Sequence, residues 1–153
     1  MEKAPEVIVF IGVQASGKSS FYRARFADSH VRINLDMLRT RHRENILFEA
    51  CLAAKQSLVI DNTNPTSDCR ARYLPRALEH GFSTIGYYFQ SKIKDAIDRN
   101  STRPEQQRVP DAGIRATYSK LQLPHFSEGF DQLFYVAHGP DGQFQPTPWK
   151  DEV

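Results

Sequence analysis

An eight-residue segment near the amino terminus has the spacing of a loop that binds phosphate. Residues 12–19 read Gly-Val-Gln-Ala-Ser-Gly-Lys-Ser and satisfy the pattern G-x-x-x-x-G-K-[ST]. In such a loop successive backbone N–H groups point at phosphate oxygens, and the free amides of the following helix add partial positive charge. The four fixed positions arise by chance in roughly one chain of this length in two hundred. We therefore interpret this segment as a nucleotide-binding loop.

The residues of this loop have different expected tasks. Lys18 should reach the β- and γ-phosphates of ATP, and the Ser19 hydroxyl should take one coordination position on Mg²⁺. ATP and Mg²⁺ are therefore the expected cofactors. The residues expected to contact the nucleotide from this loop are Gly12, Ala15, Ser16, Gly17, Lys18, Ser19 and Ser20.

Two aspartates follow apolar segments, where a carboxylate can enter the same site. Asp36 begins a predicted helix and could accept the proton of an attacking hydroxyl, although the position equally suits a helix N-cap. Asp61 ends a predicted strand, as does the acidic residue that helps to hold Mg²⁺ in many phosphate-loop proteins; a simple turn former is the alternative. The neighbouring Asn62, Thr63 and Asn64 could bind phosphate or sugar, or form the turn.

Two arginines bracket a polar stretch without periodicity at 103–109. Arg99 and Arg103 suit a mobile lid that closes over ATP and brings positive charge to the transferring phosphoryl group. A solvated surface charge is the alternative for either arginine. We expect both to contact the nucleotide and Arg103 to act in catalysis.

Alternating strand and helix patterns place these residues at one edge of a sheet. Apolar or alternating runs predict five strands, and helical spacing or capping residues predict five helices between them. This order predicts an α/β protein with a three-layer α/β/α P-loop fold, a mainly parallel five-stranded sheet, a lid after strand four and a partly ordered tail. The predicted strands are 7–11, 31–34, 57–61, 82–89 and 133–137, and the predicted helices are 18–27, 36–56 with a break near His42, 67–80, 91–100 and 110–122.

Length and composition favour one domain. The 153 residues suffice for a single core and are too few for two ordinary domains. No segment has the apolar length of a bilayer span, and the first residues lack the pattern of a signal peptide, so we expect a cytoplasmic protein without a membrane partner. The two cysteines and five histidines fit neither a zinc site nor a disulfide framework.

The net charge is less informative than its distribution. A formal charge of +2 does not by itself demand a polyanionic partner. The basic residues are nevertheless grouped, and most are arginines, whose forked donors match phosphate. The groups are 39–43, then Arg70, Arg72 and Arg76, then Arg99, Arg103, Arg108 and Arg115.

Several segments together resemble the kinase domain of the polynucleotide 5′-hydroxyl kinases, including those fused to a 3′-phosphatase. The resemblance spans about 7–137, and the segments occur in the family's order. The matching stretches are the loop at 12–19, Arg-Ile-Asn-Leu-Asp-Met-Leu-Arg at 32–39, Ile-Asp-Asn-Thr-Asn-Pro at 60–65, and 99–103 with 108–110 and Tyr118.

This resemblance implies a substrate and a set of roles. The acceptor would be the 5′-hydroxyl end of a nucleic acid strand. Asp36 matches the general base, Arg39 matches the arginine that holds the neighbouring phosphate of the acceptor, and Arg103 matches the lid arginine. Leu35 stands where the family usually has arginine. The residues that match a segment lining the acceptor side of the cleft are Asp61, Thr63 and Asn64.

Three other functions share parts of this pattern. A kinase of a small hydroxylated metabolite or antibiotic would use the same donor loop and base, but it would not need Arg39 beside a neutral acceptor. A regulatory GTPase would carry an Asn-Lys-x-Asp sequence that reads guanine, and this chain has none. A nucleotide-binding module without catalysis would bind ATP and transfer nothing.

Overall fold

A computed structural model describes residues 3–138 and 143–150 of the chain. Its centre is a six-stranded sheet in the order β2-β3-β1-β4-β5-β6, in which the first five strands are parallel and β6 is antiparallel to β5. The strands are β1 (Glu6–Ile11), β2 (Val31–Ile33), β3 (Leu58–Ile60), β4 (Ser83–Phe89), β5 (Gln132–His138) and β6 (Phe144–Pro148).

Among the described residues, seven α-helices connect the strands. None of those described is both long enough and apolar enough to span a bilayer. Two short 3-10 turns, Glu105–Gln107 and Phe126–Glu128, complete the regular structure. The helices are α1 (Lys18–Arg25), α2 (Leu35–Leu38), α3 (Arg41–Ala54), α4 (Ser67–Arg70), α5 (Leu74–Glu79), α6 (Ile93–Ser101) and α7 (Asp111–Lys120).

The central strand β1 is covered on both faces, as its unbroken apolar sequence predicts. Val7 and Val9 pack into the core that contains the buried residues of α3 and α5. Ile8 and Phe10 point the other way, into the aromatic core around Phe21 of α1. Because successive side chains of a strand alternate between faces, one apolar run serves both layers. The predicted three-layer architecture is therefore confirmed.

Two predicted helices are each divided in two. The prediction for 36–56, which included a break near His42, corresponds to α2 and α3. The two helices are separated by Arg39 and Thr40, a few residues before the predicted break, and the Thr40 side chain accepts a hydrogen bond from Arg43 N at 3.1 Å. The prediction for 67–80 corresponds to α4 and α5. Pro75 does not interrupt α5, because it lies in the first turn of this helix, where a backbone N–H would have no partner within the helix.

The sheet has six strands, so the predicted count of five is wrong. Part of the predicted tail is the edge strand β6, whose proline-containing sequence Phe-Gln-Pro-Thr-Pro hides its strand character. Proline is tolerated there because an edge strand has one row of N–H groups without a partner in the sheet. Trp149 follows β6 and packs against Tyr88 with ring centroids 5.4 Å apart. Residues 139–142 of the predicted tail lie outside the described residues.

One glycine of the central sheet is required by packing. A Cβ added to Gly86 of β4 would lie 2.6 Å from Leu133 Cδ2 and 2.9 Å from Phe130 Cε1, inside the core. We expect Gly86→Ala to lower the free energy of unfolding by about 1–3 kcal/mol through overpacking, measured by urea denaturation. Gly113→Ala is the matched control, because a Cβ at Gly113 meets open space in α7. Equal stability of the Gly86→Ala and parent proteins would contradict this packing argument.

Candidate active site

The loop between β1 and α1 has the geometry of a phosphate cradle. Gly17, the residue before α1, has φ 98°, and Ala15 has φ 61°. Both lie in the left-handed region, which turns successive amides towards one side of the loop. A Cβ on Gly12 would lie 3.0 Å from Ser16 Oγ and 3.1 Å from Phe89 Cβ, so a larger residue would crowd both side chains. Ser20, also predicted to contact the nucleotide, is exposed on α1.

Two side chains from distant elements hold the outer side of this loop. The Nε of Arg99 donates to the Ala15 carbonyl at 2.6 Å, and Nε2 of His138 donates to the Ser16 carbonyl at 2.9 Å. Burial, and then the charge of Arg99, lower the pKa of His138, so its ring is the neutral donor. With the carbonyls held outward, the amides of the loop are left to face a ligand. The Nε of Arg99, a predicted nucleotide contact, thus supports the loop backbone.

Lys18 lies inside the cradle. Its ammonium donates to the carbonyls of Gly12 at 3.1 Å and Val13 at 2.7 Å, and to Ser16 Oγ at 3.3 Å. Burial lowers the pKa of Lys18 to about 8, with Arg103 acting in the same direction, while the charges of Asp61 and Asp36 raise it. These charged groups are therefore close enough to the ammonium to change its proton affinity.

The lowered pKa predicts a pH dependence of nucleotide binding. In the free protein the Lys18 ammonium loses its proton as the pH rises through about 8, and the neutral amine cannot attract a triphosphate. We expect the apparent Kd for ATP to rise roughly tenfold between pH 7.5 and pH 9, measured with a fluorescent ATP analogue. Lys18→Met should bind weakly at every pH in this range. An affinity that stays constant to pH 9 would show that Lys18 remains protonated.

A buried carboxylate stands beside the loop. Asp61 Oδ2 accepts from Ser19 Oγ at 3.0 Å and from Arg32 Nε at 2.8 Å, and Arg32 also donates to Ser19 Oγ at 2.9 Å. The paired hydroxyl and carboxylate oxygens fit the hard oxygen ligands that Mg²⁺ takes, and the Arg32 guanidinium already places a cation against them. Ser19 and Asp61 would thus hold Mg²⁺, which would neutralise charge on the phosphates. Arg32 had no predicted role.

Asp36 contributes a second carboxylate whose charge acts on Lys18. It is exposed in the first turn of α2, and its carboxylate is one of the groups that act on the Lys18 pKa. The N-cap of α2 is Asn34, whose side chain accepts from Met37 N at 3.0 Å. The N-cap interpretation of Asp36 is therefore wrong, since the capping oxygen comes from Asn34. The Asp36 carboxylate makes no side-chain hydrogen bond within the described residues and is available to a hydroxyl.

The other residues predicted to contact the phosphoryl acceptor differ in their exposure. Arg39 ends α2 with φ 77° and is exposed. Thr63 is half-buried, and its carbonyl accepts from Gly12 N at 3.0 Å. Asn64 is buried with φ 43°, and its amide donates to the Phe10 carbonyl at 2.8 Å. The side chain of Asn64 therefore supports the end of β1, whereas Arg39 is open to a ligand.

The segment between α6 and α7 is folded more tightly than its polar sequence predicts. The side chain of Asn100 donates to the Val109 carbonyl at 2.6 Å and accepts from Val109 N at 3.1 Å, which ties the two ends of this lid together. Arg103 begins the lid, and its buried Nη1 has no hydrogen-bond partner within the described residues. An unpartnered guanidinium nitrogen near Lys18 fits a phosphate oxygen.

Comparison with known families identifies the family to which this chain belongs. The profile of the AAA domain family matches residues 7–124, from β1 to the segment after α7. The chain belongs to this family. The match includes the phosphate loop, the Asp36 turn and the lid.

Two similar proteins bear out the resemblance to polynucleotide kinases. The "Bifunctional polynucleotide phosphatase/kinase" of Schizosaccharomyces pombe is 30% identical over 132 residues, which are 84% of this chain and 32% of that protein. The "Putative bifunctional polynucleotide phosphatase/kinase" of Acanthamoeba polyphaga mimivirus is 29% identical over 153 residues, 95% of this chain and 36% of that protein. The chain spans about a third of the length of these curated relatives.

The fold recurs in solved structures with lower sequence identity. A gluconokinase from Sinorhizobium meliloti superposes with a TM-score of 0.60 at 19% identity, covering 89% of this chain and 84% of that chain. At this identity the likeness concerns the fold alone. This AAA domain therefore shares its fold with that gluconokinase.

Two residues that shape the site of this AAA domain were missed in the sequence. Arg32 carries a usable signal, because a cation alternates with apolar residues in a short strand that ends at the predicted site. His138 carries none, because its contact with Ser16 joins positions 122 residues apart.

Proposed function

We propose that this protein transfers the γ-phosphate of ATP to the 5′-hydroxyl end of a polynucleotide. The observation that carries the proposal is the position of Asp36, an exposed carboxylate close enough to raise the pKa of the phosphate-loop lysine. A carboxylate on the far side of a bound γ-phosphate can align and deprotonate an alcohol. Arg39, three residues later, offers a cation to the phosphate next to that alcohol.

The proposed reaction needs one proton transfer and one displacement. The Asp36 carboxylate takes the proton of the 5′-hydroxyl, and the hydroxyl oxygen attacks the γ-phosphorus. The bond from that phosphorus to the β–γ bridging oxygen breaks, and ADP leaves with the electron pair. Lys18 and Arg103 offset the negative charge of the transferring group. Mg²⁺ held by Ser19 and Asp61 would add further neutralisation when bound.

The acceptor class rests on the names of the similar proteins and on Arg39. Both relatives are called polynucleotide phosphatase/kinases, and they are about three times longer than this chain, so the proposal concerns the kinase reaction alone. A metabolite kinase is the competing function, since a gluconokinase has the same fold. The two functions differ in whether the acceptor carries a phosphate for Arg39 to bind.

A labelling assay tests the proposal through its general base. The protein is incubated with Mg²⁺ and γ-labelled ATP, and offered 5′-hydroxyl DNA and RNA oligonucleotides beside gluconate, other sugars and nucleosides. We expect label on the oligonucleotides. Asp36→Asn should lower kcat roughly 10²- to 10⁴-fold because it removes the proton acceptor. ATP affinity should change less than about threefold, since Asp36 faces the acceptor.

Asp28→Asn is the matched control, because Asp28 is an exposed aspartate on a turn after α1. It should retain the parent rate. Label on sugars with none on oligonucleotides would overturn the acceptor assignment. Loss of ATP binding in Asp36→Asn, with transfer restored at saturating ATP, would overturn the role of Asp36 as base.

Arg39 provides a separate test of the acceptor class. We expect Arg39→Ala to raise the KM for a 5′-hydroxyl dinucleotide roughly tenfold or more, because a charge-assisted contact to its phosphate is lost. The KM for ATP should stay near the parent value. An unchanged dinucleotide KM would favour a neutral metabolite as the acceptor.

A further inference from the structure

A group of arginines continues from Arg39 along the side of the molecule formed by α3 and α5. Arg43 donates to the Leu38 carbonyl at 3.2 Å, beside Arg39. Further on, a cavity between the two helices is lined by three more arginines. We call this surface the arginine track, and its members are Arg39, Arg41, Arg43, Arg72 and Arg76.

Two carboxylates pair with members of the arginine track. Glu44 is buried and accepts from Arg41 at 2.9 Å, and Glu49 pairs with Arg76. Across residues 3–138 and 143–150 no carboxylate oxygen lies within 4.0 Å of the guanidinium of Arg39, Arg43 or Arg72. The track therefore presents an excess of positive charge on a protein whose net charge is only +2.

Arg70 is close to the arginine track in sequence but is not a member of it, because its side chain is buried. Arg70 was grouped with Arg72 and Arg76 by sequence, but its side chain is fully buried and donates to Glu128 at 2.8 and 3.1 Å. Arg72 is exposed in the turn before α5. Arg76 lies over the Phe48 ring, 4.7 Å from its centroid, which holds its guanidinium against α3.

The track is connected to the acceptor side of the active site by hydrogen bonds. The Asn62 side chain accepts from Leu35 N at 2.8 Å, next to Asp36, and donates to Glu44 at 3.0 Å. Tyr73 Oη donates to the same Glu44 at 2.9 Å. The turn that carries Asp36 and the helices that carry the track are therefore held in one fixed relation.

From this arrangement we propose that the members of the arginine track beyond Arg39 bind the backbone phosphates of the acceptor strand beyond its first phosphodiester. The inference rests on the proposed function and deepens it, because a small acceptor has nothing that reaches these arginines. Arginine suits the task, since its fork binds phosphate oxygens irrespective of base. The ligand is a single strand of DNA or RNA whose 5′ end lies at Asp36.

The test compares acceptors of different length on the full chain. A 5′-hydroxyl dinucleotide has one phosphodiester and can use only Arg39, whereas an octanucleotide can extend along the track. We expect the octanucleotide, as DNA or RNA, to have a KM at least fivefold lower than the dinucleotide. Arg72→Gln should raise the octanucleotide KM roughly three- to tenfold and change the dinucleotide KM less than twofold, and Arg72→Glu should have a larger effect.

Equilibrium binding supplies a second readout. We expect Arg72→Gln to reduce the slope of log Kd against log salt for a labelled octanucleotide by about 0.7, the value for one lost phosphate contact on a single strand. Arg23→Gln is the matched control, because Arg23 is exposed on α1, which packs on the opposite face of the sheet. It removes the same charge and should leave both KM and slope unchanged.

The outcomes separate this inference from the proposed function. If oligonucleotides of both lengths are phosphorylated with equal KM and Arg72→Gln matches Arg23→Gln, the track is not a strand-binding surface although the kinase reaction stands. If no oligonucleotide acquires label and a sugar does, both are overturned. If the Arg72 variants raise the KM for the octanucleotide and leave the KM for the dinucleotide unchanged, the track binds the strand.

Discussion

Burial of one ammonium group is the constraint on which the site depends. Lys18 is held in a loop of backbone where removing a charge from water is costly, and its partners are two carbonyls and a hydroxyl. These partners compensate the charge only in part, which is why its pKa falls to about 8. A polyphosphate supplies the missing negative charge. The protein without ligand is therefore prepared for an anion at this point.

The charges around Lys18 divide the site into two functional sides. One cluster consists of Asp61, Ser19 and Arg32, whose side chains hydrogen-bond to one another. Its oxygens would suit a Mg²⁺ ion that accompanies the phosphate donor ATP. Asp36 is exposed and takes no part in this cluster. Arg103 contributes a buried nitrogen without a partner in the described part of the chain. Ser19, Asp61 and Arg32 thus satisfy one another, whereas Asp36 and Nη1 of Arg103 have no such partner within the described residues.

The sequence was most informative where function requires a particular residue at a particular spacing. The phosphate loop was found because its tight backbone demands glycine at a fixed spacing and phosphate binding demands a lysine beside it, and the turn at Asp36 was found because a carboxylate follows a strand-like segment there. The layers were found because β1 is apolar on both faces. By contrast, β6 was missed because its prolines mimic a tail, and the division of 67–80 near Tyr73 was missed, whereas the break in 36–56 was predicted near His42 and lies a few residues earlier, at Arg39 and Thr40. Contacts such as that of His138 with Ser16 depend on tertiary structure and have no local signal.

The position of Phe144 bears on the order in which the protein folds. Its ring lies where a Cβ on Gly17 would come within 2.6 Å, and it packs against Phe21 of α1 with centroids 5.5 Å apart. The wall of the phosphate loop thus includes β6, which comes after the five parallel strands in the chain and pairs with β5. Since the loop leaves the ribosome long before β6, it acquires this part of its wall only after β6 has been synthesised. Affinity for nucleotide would then depend on the docking of β6, long after the loop itself has emerged.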